Sequence, residues 1–472
     1  MLFGSILFLW IFLPVVLAGN YILTVIPFHS AQRRIRFKNG FLLAASLVFY
    51  AWGGVYYLFL ILSVILLNYL AGRLIDASVA NRKAVFVCAV IANLALLFYF
   101  KYFNLAVATI EQIRHMERGA LGFREVVLPV GISFYIFQAM SYVIDLYRGK
   151  TGVQKSLPRF ALYVSLFPQL IAGPIVLYKD VQKQLEERTE TAEMFLSGIS
   201  RFVTGLAKKV LIADSMAQVA DSVFALETDL FGAPVAWWGM FAYTMQIYFD
   251  FSGYSDMAIG LGRMLGFSFK ENFNLPYTAD SVRAFWRRWH ISLSAWFRDY
   301  VYIPLGGSKK GARITERNLL ITFFLTGIWH GANYTFFAWG IYYALWIIAE
   351  RLTEGRIKRV PVIGRIYTMI AVMIGWVLFR ADTISYALHY IARLIAFETC
   401  AYSVFNFLSM RILLAAVCAF VLGCFGKTKA GDDDTRTGQP SVPVFAAQMV
   451  LFALSVLLIV SGSYSPFIYY RF

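Results

Sequence analysis

The sequence has 472 residues, of which 59% are hydrophobic, 17% aromatic and only 15% charged. Soluble proteins are about 45 to 50% apolar and about 25% charged, so this composition excludes a soluble globular protein. Lysine and arginine number 43 against 27 acidic residues, which gives a formal net charge of +16. The basic residues fall in short clusters between apolar runs, a pattern that indicates membrane topology and no nucleic-acid partner. The four cysteines show no metal-ligand spacing, so we expect no metal site and no disulfide framework.

The N-terminal part of the chain predicts a first span and then a helical hairpin. The first 32 residues carry no charge and lack the basic start of a signal peptide, so we interpret them as an uncleaved span. A basic cluster at residues 33–38 follows, which we expect to form a cytoplasmic loop, with the N-terminus outside. Gly53 and Gly54 interrupt the charge-free run 39–72, which favours a tight hairpin of two short spans.

Further charge-free runs occur at residues 84–100, 126–144, 231–249, 318–349, 366–379, 412–426 and 437–470. We therefore predict an all-α polytopic membrane protein with about 11–12 transmembrane helices. Residues 160–178 contain Pro168 and the pair Gly173-Pro174 between basic flanks, so we expect this segment to be re-entrant and to imply an internal cavity. Residues 272–307 alternate aromatic and basic side chains and cannot face lipid.

His330 is the clearest candidate for chemistry, because ionisable groups inside a membrane are costly and usually face a cavity. It lies near the middle of the uncharged run 318–349, where Gly327 and Gly331 permit close backbone approach and Asn333 supplies a second polar group. Two interpretations stay open from the residues alone. The histidine is either a core residue hydrogen-bonded to a backbone carbonyl, or a general base, since a neutral imidazole titrates near the operating pH.

A second candidate site is the run from Phe285 to His290, with the sequence Phe-Trp-Arg-Arg-Trp-His. In a helix, Trp286 and Trp289 would share one face. Arg287 and His290 would share another, and Arg288 would point elsewhere. The pattern fits a basic recess with aromatic walls, in which arginine forks bind the diphosphate of a coenzyme A donor. The alternative is an ordinary membrane interface, where arginine and tryptophan are both common.

Two carboxylates, Asp250 and Asp256, follow the apolar run 231–249 directly. Paired acids can relay protons, bind a cation or form salt bridges. We favour salt bridges to the arginines of the next segment, because no third ligand at metal spacing is present.

Eight stretches carry a family resemblance, namely LPVGISFY (128–135), FPQLIAGP (167–174), YFDFSGYSD (248–256), NFNLPY (272–277), FWRRWHISLS (285–294), FRDYVYIPLGG (297–307), WHGAN (329–333) and YSPFIYY (464–470). With these motifs the chain resembles the membrane-bound O-acyltransferase superfamily, specifically its bacterial branch similar to alginate O-acetylation membrane proteins. One departure is Ala284, where relatives often carry an acid before the Phe-Trp-Arg-Arg-Trp run.

The resemblance implies that His330 matches the essential histidine of the superfamily and His290 a second histidine of this branch. It also implies transfer of an acyl group from a cytoplasmic thioester, with acetyl-CoA the expected donor, towards hydroxyls of an exported polysaccharide. The implied partners are an exported SGNH-type or similar acetyl-accepting protein, the polysaccharide and membrane lipids. No bound cofactor is expected, and the implied location is the bacterial cytoplasmic (inner) membrane.

Together these observations predict one integral-membrane domain, residues 1–472, with N-terminal spans (1–125), a catalytic core with re-entrant segments (126–350) and C-terminal spans (351–472). We expect a central tunnel in which His330 lies between a cytoplasmic mouth, near Arg287, Arg288 and the loop 309–310, and an opposite mouth. The expected substrate-binding residues are Arg287, Arg288, Trp286, Trp289, Asp250, Asp256, Asn333 and Trp329, and the expected catalytic residues are His330 and His290. The alternatives are D-alanyl transfer to teichoic acid and a non-enzymatic transporter of a polysaccharide or its precursor.

Overall fold

The computed structural model describes residues 1–77, 80–117, 119–353, 361–398, 400–425, 441–462 and 467, so most of the C-terminal motif 464–470 lies outside the described residues. Across these ranges the regular structure is helical, apart from one isolated β-bridge between Phe231 and Tyr402. The all-α prediction is therefore confirmed. The chain divides into two compact units. The first consists mainly of Met1–Phe202 and Met257–Lys270, and the second mainly of Val203–Asp256 and Glu271–Thr435.

The α-helices in chain order are α1 (Leu13–Val25), α2 (Ala31–Ala51), α3 (Val55–Ala77), α4 (Arg82–Ile113), α5 (Ile132–Tyr147), α6 (Leu157–Ser165), α7 (Phe167–Leu170), α8 (Tyr178–Glu186), α9 (Ala192–Ala207), α10 (Asp214–Phe224), α11 (Ala233–Met264), α12 (Val282–Trp286), α13 (Ile291–Phe297), α14 (Ala312–His330), α15 (Tyr334–Leu352), α16 (Pro361–Arg380), α17 (Ile384–Arg393), α18 (Met410–Cys424) and α19 (Val442–Val460). Segments of π-helix occur at Phe8–Phe12, Lys208–Ala213 and Arg298–Tyr302. Short 3-10 turns occur at Thr228–Leu230, Pro276–Thr278 and Val404–Phe407.

Five helices within the described ranges are long and apolar enough to cross a membrane, namely Phe8–Val25, Val55–Ala77, Arg82–Ile113, Val362–Arg380 and Val442–Val460. A spanning helix needs about 20 predominantly apolar residues, which these segments supply. They fit the expected polytopic membrane protein. The higher number of spans and the central tunnel stay predictions.

The predicted turn between two helices at Gly53 and Gly54 is confirmed, and the position of the basic cluster is corrected. Helices α2 and α3 are joined by a turn in which Gly54 has a φ of +141°, a conformation that favours glycine. The cluster at residues 33–38 does not form a loop but lies in the first turns of α2. The reason is that the hydroxyl of Ser30 accepts the N–H of Arg33 at 3.2 Å and starts the helix before the cluster. Lys38 is buried and pairs with Glu190 at 2.5 Å.

Residues 160–178 contain no continuous helix, in line with the re-entrant interpretation. Helix α6 ends at Ser165, α7 has a single turn, and the chain is irregular until α8 begins at Tyr178. Buried side chains satisfy the irregular backbone: Gln169 donates to the carbonyl of Tyr163 at 2.6 Å, and the Tyr163 hydroxyl donates to the carbonyl of Val176 at 3.1 Å. Non-helical backbone at membrane depth requires this kind of internal compensation.

Helices α14 and α15 of the second unit form the hairpin that carries His330. A Cβ at Gly327 would collide with the carbonyl oxygen of Phe336, so the close approach predicted there is confirmed. His330, near the middle of the uncharged run 318–349, is the last residue of α14, because the chain turns at Gly331. Asn333 then caps α15 by accepting the N–H of Thr335 at 3.2 Å.

Candidate active site

His330 is buried, with 3% of its surface exposed, and among the residues that the structure describes it packs against Trp329, Trp339 and Phe379. Its ring centroid lies 5.0 Å from that of Trp329, 5.0 Å from that of Trp339 and 5.1 Å from that of Phe379. All three rings meet the imidazole edge-to-face. Helices α14, α15 and α16 each contribute one of these rings, so the packing of three helices fixes the position of the imidazole.

His290 is buried at the start of α13, and its backbone has a left-handed φ of +44°. Its Nδ1 lies 3.2 Å from Oδ1 of Asn272. The same Oδ1 accepts the backbone N–H of Ser292 at 3.1 Å, which identifies this atom as the oxygen. Nδ1 of His290 must therefore carry the proton, and Nε2 carries the lone pair. Burial lowers the pKa of His290 to about 3, so the ring is neutral at physiological pH.

Trp329 connects the two histidines. Its ring centroid is 6.0 Å from that of His290 and 5.0 Å from that of His330. The structure therefore brings together the two histidines and the tryptophan that the sequence indicated. Phe251 of α11 packs on the other side of His290, with ring centroids 4.6 Å apart.

Trp286 and Trp289 do not share a helical face, which corrects the prediction made from their spacing. Helix α12 ends at Trp286, so the three-residue periodicity does not extend to Trp289. Trp286 packs against Tyr343 at 4.9 Å and against Trp339 at 5.5 Å. Trp289 instead packs against Trp376 at 4.8 Å. Both rings are buried and belong to the aromatic packing that extends from α12 towards His330.

Arg287 and Arg288 point in different directions, as their spacing predicted. Arg287 is exposed, whereas Arg288 is half-buried and donates through Nη1 to the hydroxyl of Thr278 at 2.8 Å. Lys309 and Lys310, in the loop expected near the same mouth, are exposed. Binding of a diphosphate by the two arginines stays a prediction.

The salt-bridge interpretation of Asp250 and Asp256 is confirmed, but their partners are lysines and not the arginines of the next segment. Lys209 pairs with Asp250 at 2.9 Å and with Asp214 at 2.7 Å, and Lys208 pairs with Asp256 at 2.6 Å. The lysines are consecutive in the π-helical segment, and both α11 acids lie inside the helix, not after it. Burial disfavours the Lys209 ammonium, but the two carboxylates outweigh this effect and raise its pKa.

Glu350 is a site residue that the sequence did not reveal. It is buried near the end of α15, and its carboxylate accepts the backbone N–H of Val282 at 2.5 Å and of Arg283 at 3.0 Å. The hydroxyl of Tyr367 donates to the same carboxylate. The hydroxyl of Ser281 accepts the N–H of Ala284 at 3.1 Å, so the start of α12 is capped without an acid at Ala284. In the sequence, Glu350 is a lone acid at the end of the apolar run 318–349. An acid at this position is equally typical of the end of a membrane span, so it did not indicate a contact with α12.

Asn333 has its polar atoms in structural contacts. Besides capping α15, it donates through Nδ2 to the carbonyl of Asp382 at 2.9 Å, which ties the tip of the hairpin to the segment after α16. These contacts explain the polar atoms of Asn333 without a substrate. Its role in substrate binding stays a prediction.

The fold and the site define a helical membrane protein with a buried histidine pair. Residues 146–390 match the sequence profile described as MBOAT, membrane-bound O-acyltransferase family. The chain is 40% identical to a probable alginate O-acetylase AlgI of Pseudomonas putida, over 100% of both chains. It is 34% identical to a peptidoglycan O-acetyltransferase of Helicobacter pylori, over 82% of this chain and 78% of the relative. A teichoic acid D-alanyltransferase of Bacillus subtilis is 30% identical, over 61% and 72% respectively.

The chain belongs to the membrane-bound O-acyltransferase family. It is a multi-pass membrane enzyme that transfers acyl groups to oxygen. The family assignment therefore supports an acyltransferase and not the alternative of a non-enzymatic transporter.

Proposed function

We propose that this chain moves an acetyl group from cytoplasmic acetyl-CoA towards hydroxyls of an exported polysaccharide, through an exported SGNH-type or similar acetyl-accepting partner. The proposal includes a place in the bacterial cytoplasmic membrane, with the N-terminus outside. The observation that carries it is the similarity to alginate O-acetylases, which covers the whole of both chains. The similarity to the D-alanyltransferase of Bacillus subtilis covers only 61% of this chain, so acetyl transfer is favoured over D-alanyl transfer.

In the proposed reaction, His330 acts as the general base. An imidazole nitrogen takes the proton of the acceptor hydroxyl while the hydroxyl oxygen forms a bond to the thioester carbonyl carbon. The carbon–sulfur bond then breaks, and the leaving thiolate recovers the proton from the imidazolium. This scheme needs no acyl-enzyme, although an acyl group carried on His330 is the alternative. In the direct scheme, the rate acceleration comes partly from positioning, because both reactants meet at one fixed imidazole.

The environment of the two histidines supports these roles. Three aromatic rings around His330 keep bulk water away from the reacting centre, which protects a thioester from hydrolysis. His290 remains neutral, and the contact of its Nδ1 with Asn272 fixes the orientation of its ring, so it suits the orientation of a hydroxyl. Trp329 holds the two rings at a fixed separation, because its indole contacts both.

The test uses everted membrane vesicles from cells that express the chain and make the polymer, supplied with radiolabelled acetyl-CoA. His330→Gln and His330→Ala should keep normal protein levels and lose acetyl transfer by a factor of about 10² to 10⁴. The matched control is His389→Gln, which removes an exposed histidine of α17 and should leave transfer unchanged. Full activity in either His330 variant would refute the base assignment. Transfer from a D-alanyl thioester but not from acetyl-CoA would replace the proposed donor.

A further inference from the structure

Two aromatic side chains beside His330, those of Trp339 and Phe379, form a wall. Trp339 and Phe379 contact the imidazole at 5.0 Å and 5.1 Å and contact each other at 5.2 Å between ring centroids. Their exposed fractions are 0% and 2%. Centroid separations of 4.5–7 Å correspond to rings in van der Waals contact, so these two rings border the imidazole directly.

A second layer of aromatic rings prevents this wall from moving back. Phe379 packs against Phe336 at 4.8 Å and against Trp376 at 5.6 Å. Trp339 packs against Tyr343 at 5.1 Å. Protein interiors are close-packed, and enlarging a group in such a site forces neighbouring side chains out of their preferred rotamers. The space beside His330 is therefore limited by Trp339 and Phe379, and the aromatic rings behind these two side chains hold them in place.

We propose that Trp339 and Phe379 determine the acyl specificity of the enzyme by restricting the group transferred at His330 to a short chain, with two carbons as the preferred length. This inference rests on the proposed function, because it assumes that the thioester reacts beside His330. An acetyl group ends in one methyl group, whereas on this proposal each further methylene extends the acyl chain towards the two rings that border His330. One methylene in a hydrophobic pocket changes specificity by about 10- to 200-fold, so propionyl transfer should be disfavoured by at least about 10-fold.

The experiment measures release of free coenzyme A thiol from acetyl-, propionyl- and butyryl-CoA in the same everted vesicles. Trp339→Phe and Phe379→Leu each shrink the wall while keeping it apolar, and two variants guard against one that fails to fold. Each should raise the propionyl-to-acetyl ratio of kcat/KM by about 10-fold. The control is Phe224→Leu, a buried phenylalanine of the second unit whose ring packs on Tyr390 at 4.6 Å, and it should leave the ratio unchanged.

The outcomes separate this inference from the function on which it rests. If both wall variants keep the wild-type propionyl-to-acetyl ratio while His330-dependent acetyl turnover persists, the specificity role is overturned. The proposed function then stays intact. Wild-type vesicles that release no thiol from acetyl-CoA would overturn both. An increase that occurs equally in Phe224→Leu would also overturn the specificity role, because it would reflect general loosening of the unit.

Discussion

The carboxylate of Glu350, on α15, accepts the backbone N–H of Val282, the first residue of α12, at 2.5 Å. Helix α12 has only five residues, too few to be stable alone, so its position depends on such external contacts. At its other end Trp286 packs against Trp339 of the same helix α15. The helix that also contacts His330 through Trp339 thus holds α12 at both ends.

The first prediction concerns Glu350→Gln. The substitution replaces one acceptor oxygen by an NH₂ group that faces backbone donors, so a buried N–H loses its partner. We expect the free energy of unfolding to fall by about 1–3 kcal/mol. Thermal unfolding of the detergent-solubilised protein measures this change as a lower Tm. Tyr367→Phe, which removes only the third donor to the carboxylate, should cost about 0.5–1.5 kcal/mol. A Glu350→Gln protein as stable as the wild type would contradict the capping role.

Local sequence patterns predicted those features that depend on neighbouring residues. Apolar runs predicted helices, and the pair Gly53-Gly54 predicted the turn between α2 and α3. The uncharged run around His330 predicted a candidate base inside the protein, and the structure buries it. In these cases the signal is hydrophobicity or backbone conformational freedom, both of which act over a few residues.

Features that depend on residues distant in the chain could not be predicted in the same way. Glu350 meets Val282 across 68 positions, and Lys208 meets Asp256 across 48. Local periodicity carries no information about such pairs. The sequence therefore predicted arginine partners for the acids of α11, whereas the structure pairs these acids with lysines. The shared face expected for Trp286 and Trp289 failed for a related reason. That expectation extended a helical period beyond the point where the helix ends.

The second prediction concerns the pH dependence of stability through His290. Its pKa is about 3 in the folded protein, against about 6.5 in an unfolded chain. As the pH falls below about 6.5, the unfolded state gains a proton that the folded state does not bind. The contribution of His290 to stability is therefore complete above that pH and is lost progressively towards pH 3. Lowering the pH from about 7.5 to about 5 should reduce Tm more in the wild type than in His290→Gln.

The control for this comparison is His389→Gln, which changes an exposed histidine and should show the wild-type decrease in Tm. Equal decreases in the wild type and in His290→Gln would mean that His290 is not held neutral by burial.

The third prediction decides whether Asp250 binds substrate or serves the fold. Lys209→Met leaves Asp214 and Asp250 as two buried carboxylates without their shared cation, and breaking a buried pair in this way costs about 3–5 kcal/mol. Asp250→Asn leaves Lys209 paired with Asp214 and should cost less. Thermal unfolding in detergent measures both variants. A structural role predicts that Asp250→Asn lowers Tm while the KM for acetyl-CoA stays constant. A raised KM at an unchanged Tm would instead identify Asp250 as a substrate ligand.

The fourth prediction separates the two neighbouring arginines. Arg287 is exposed and makes no hydrogen bond to another side chain within the described part of the second unit, whereas Arg288 is tied to Thr278. Since phosphate is bound by guanidinium groups in bidentate form, Arg287→Ala should raise the KM for acetyl-CoA by about 10-fold without changing Tm. Arg288→Ala should lower Tm, because the hydroxyl of Thr278 loses its donor.

Steady-state kinetics with acetyl-CoA and thermal unfolding distinguish the two effects, and Arg287→Lys is the informative intermediate. Lysine keeps the charge but loses the planar fork, so it should restore only part of the affinity if the fork matters. Raised salt should increase the wild-type KM and have less effect on Arg287→Ala, because screening acts on exposed charges. If Arg287→Ala keeps the wild-type KM at low salt, the donor phosphates bind elsewhere. The exposed arginine then belongs to an ordinary membrane interface, which is the alternative that the run of arginine and tryptophan left open.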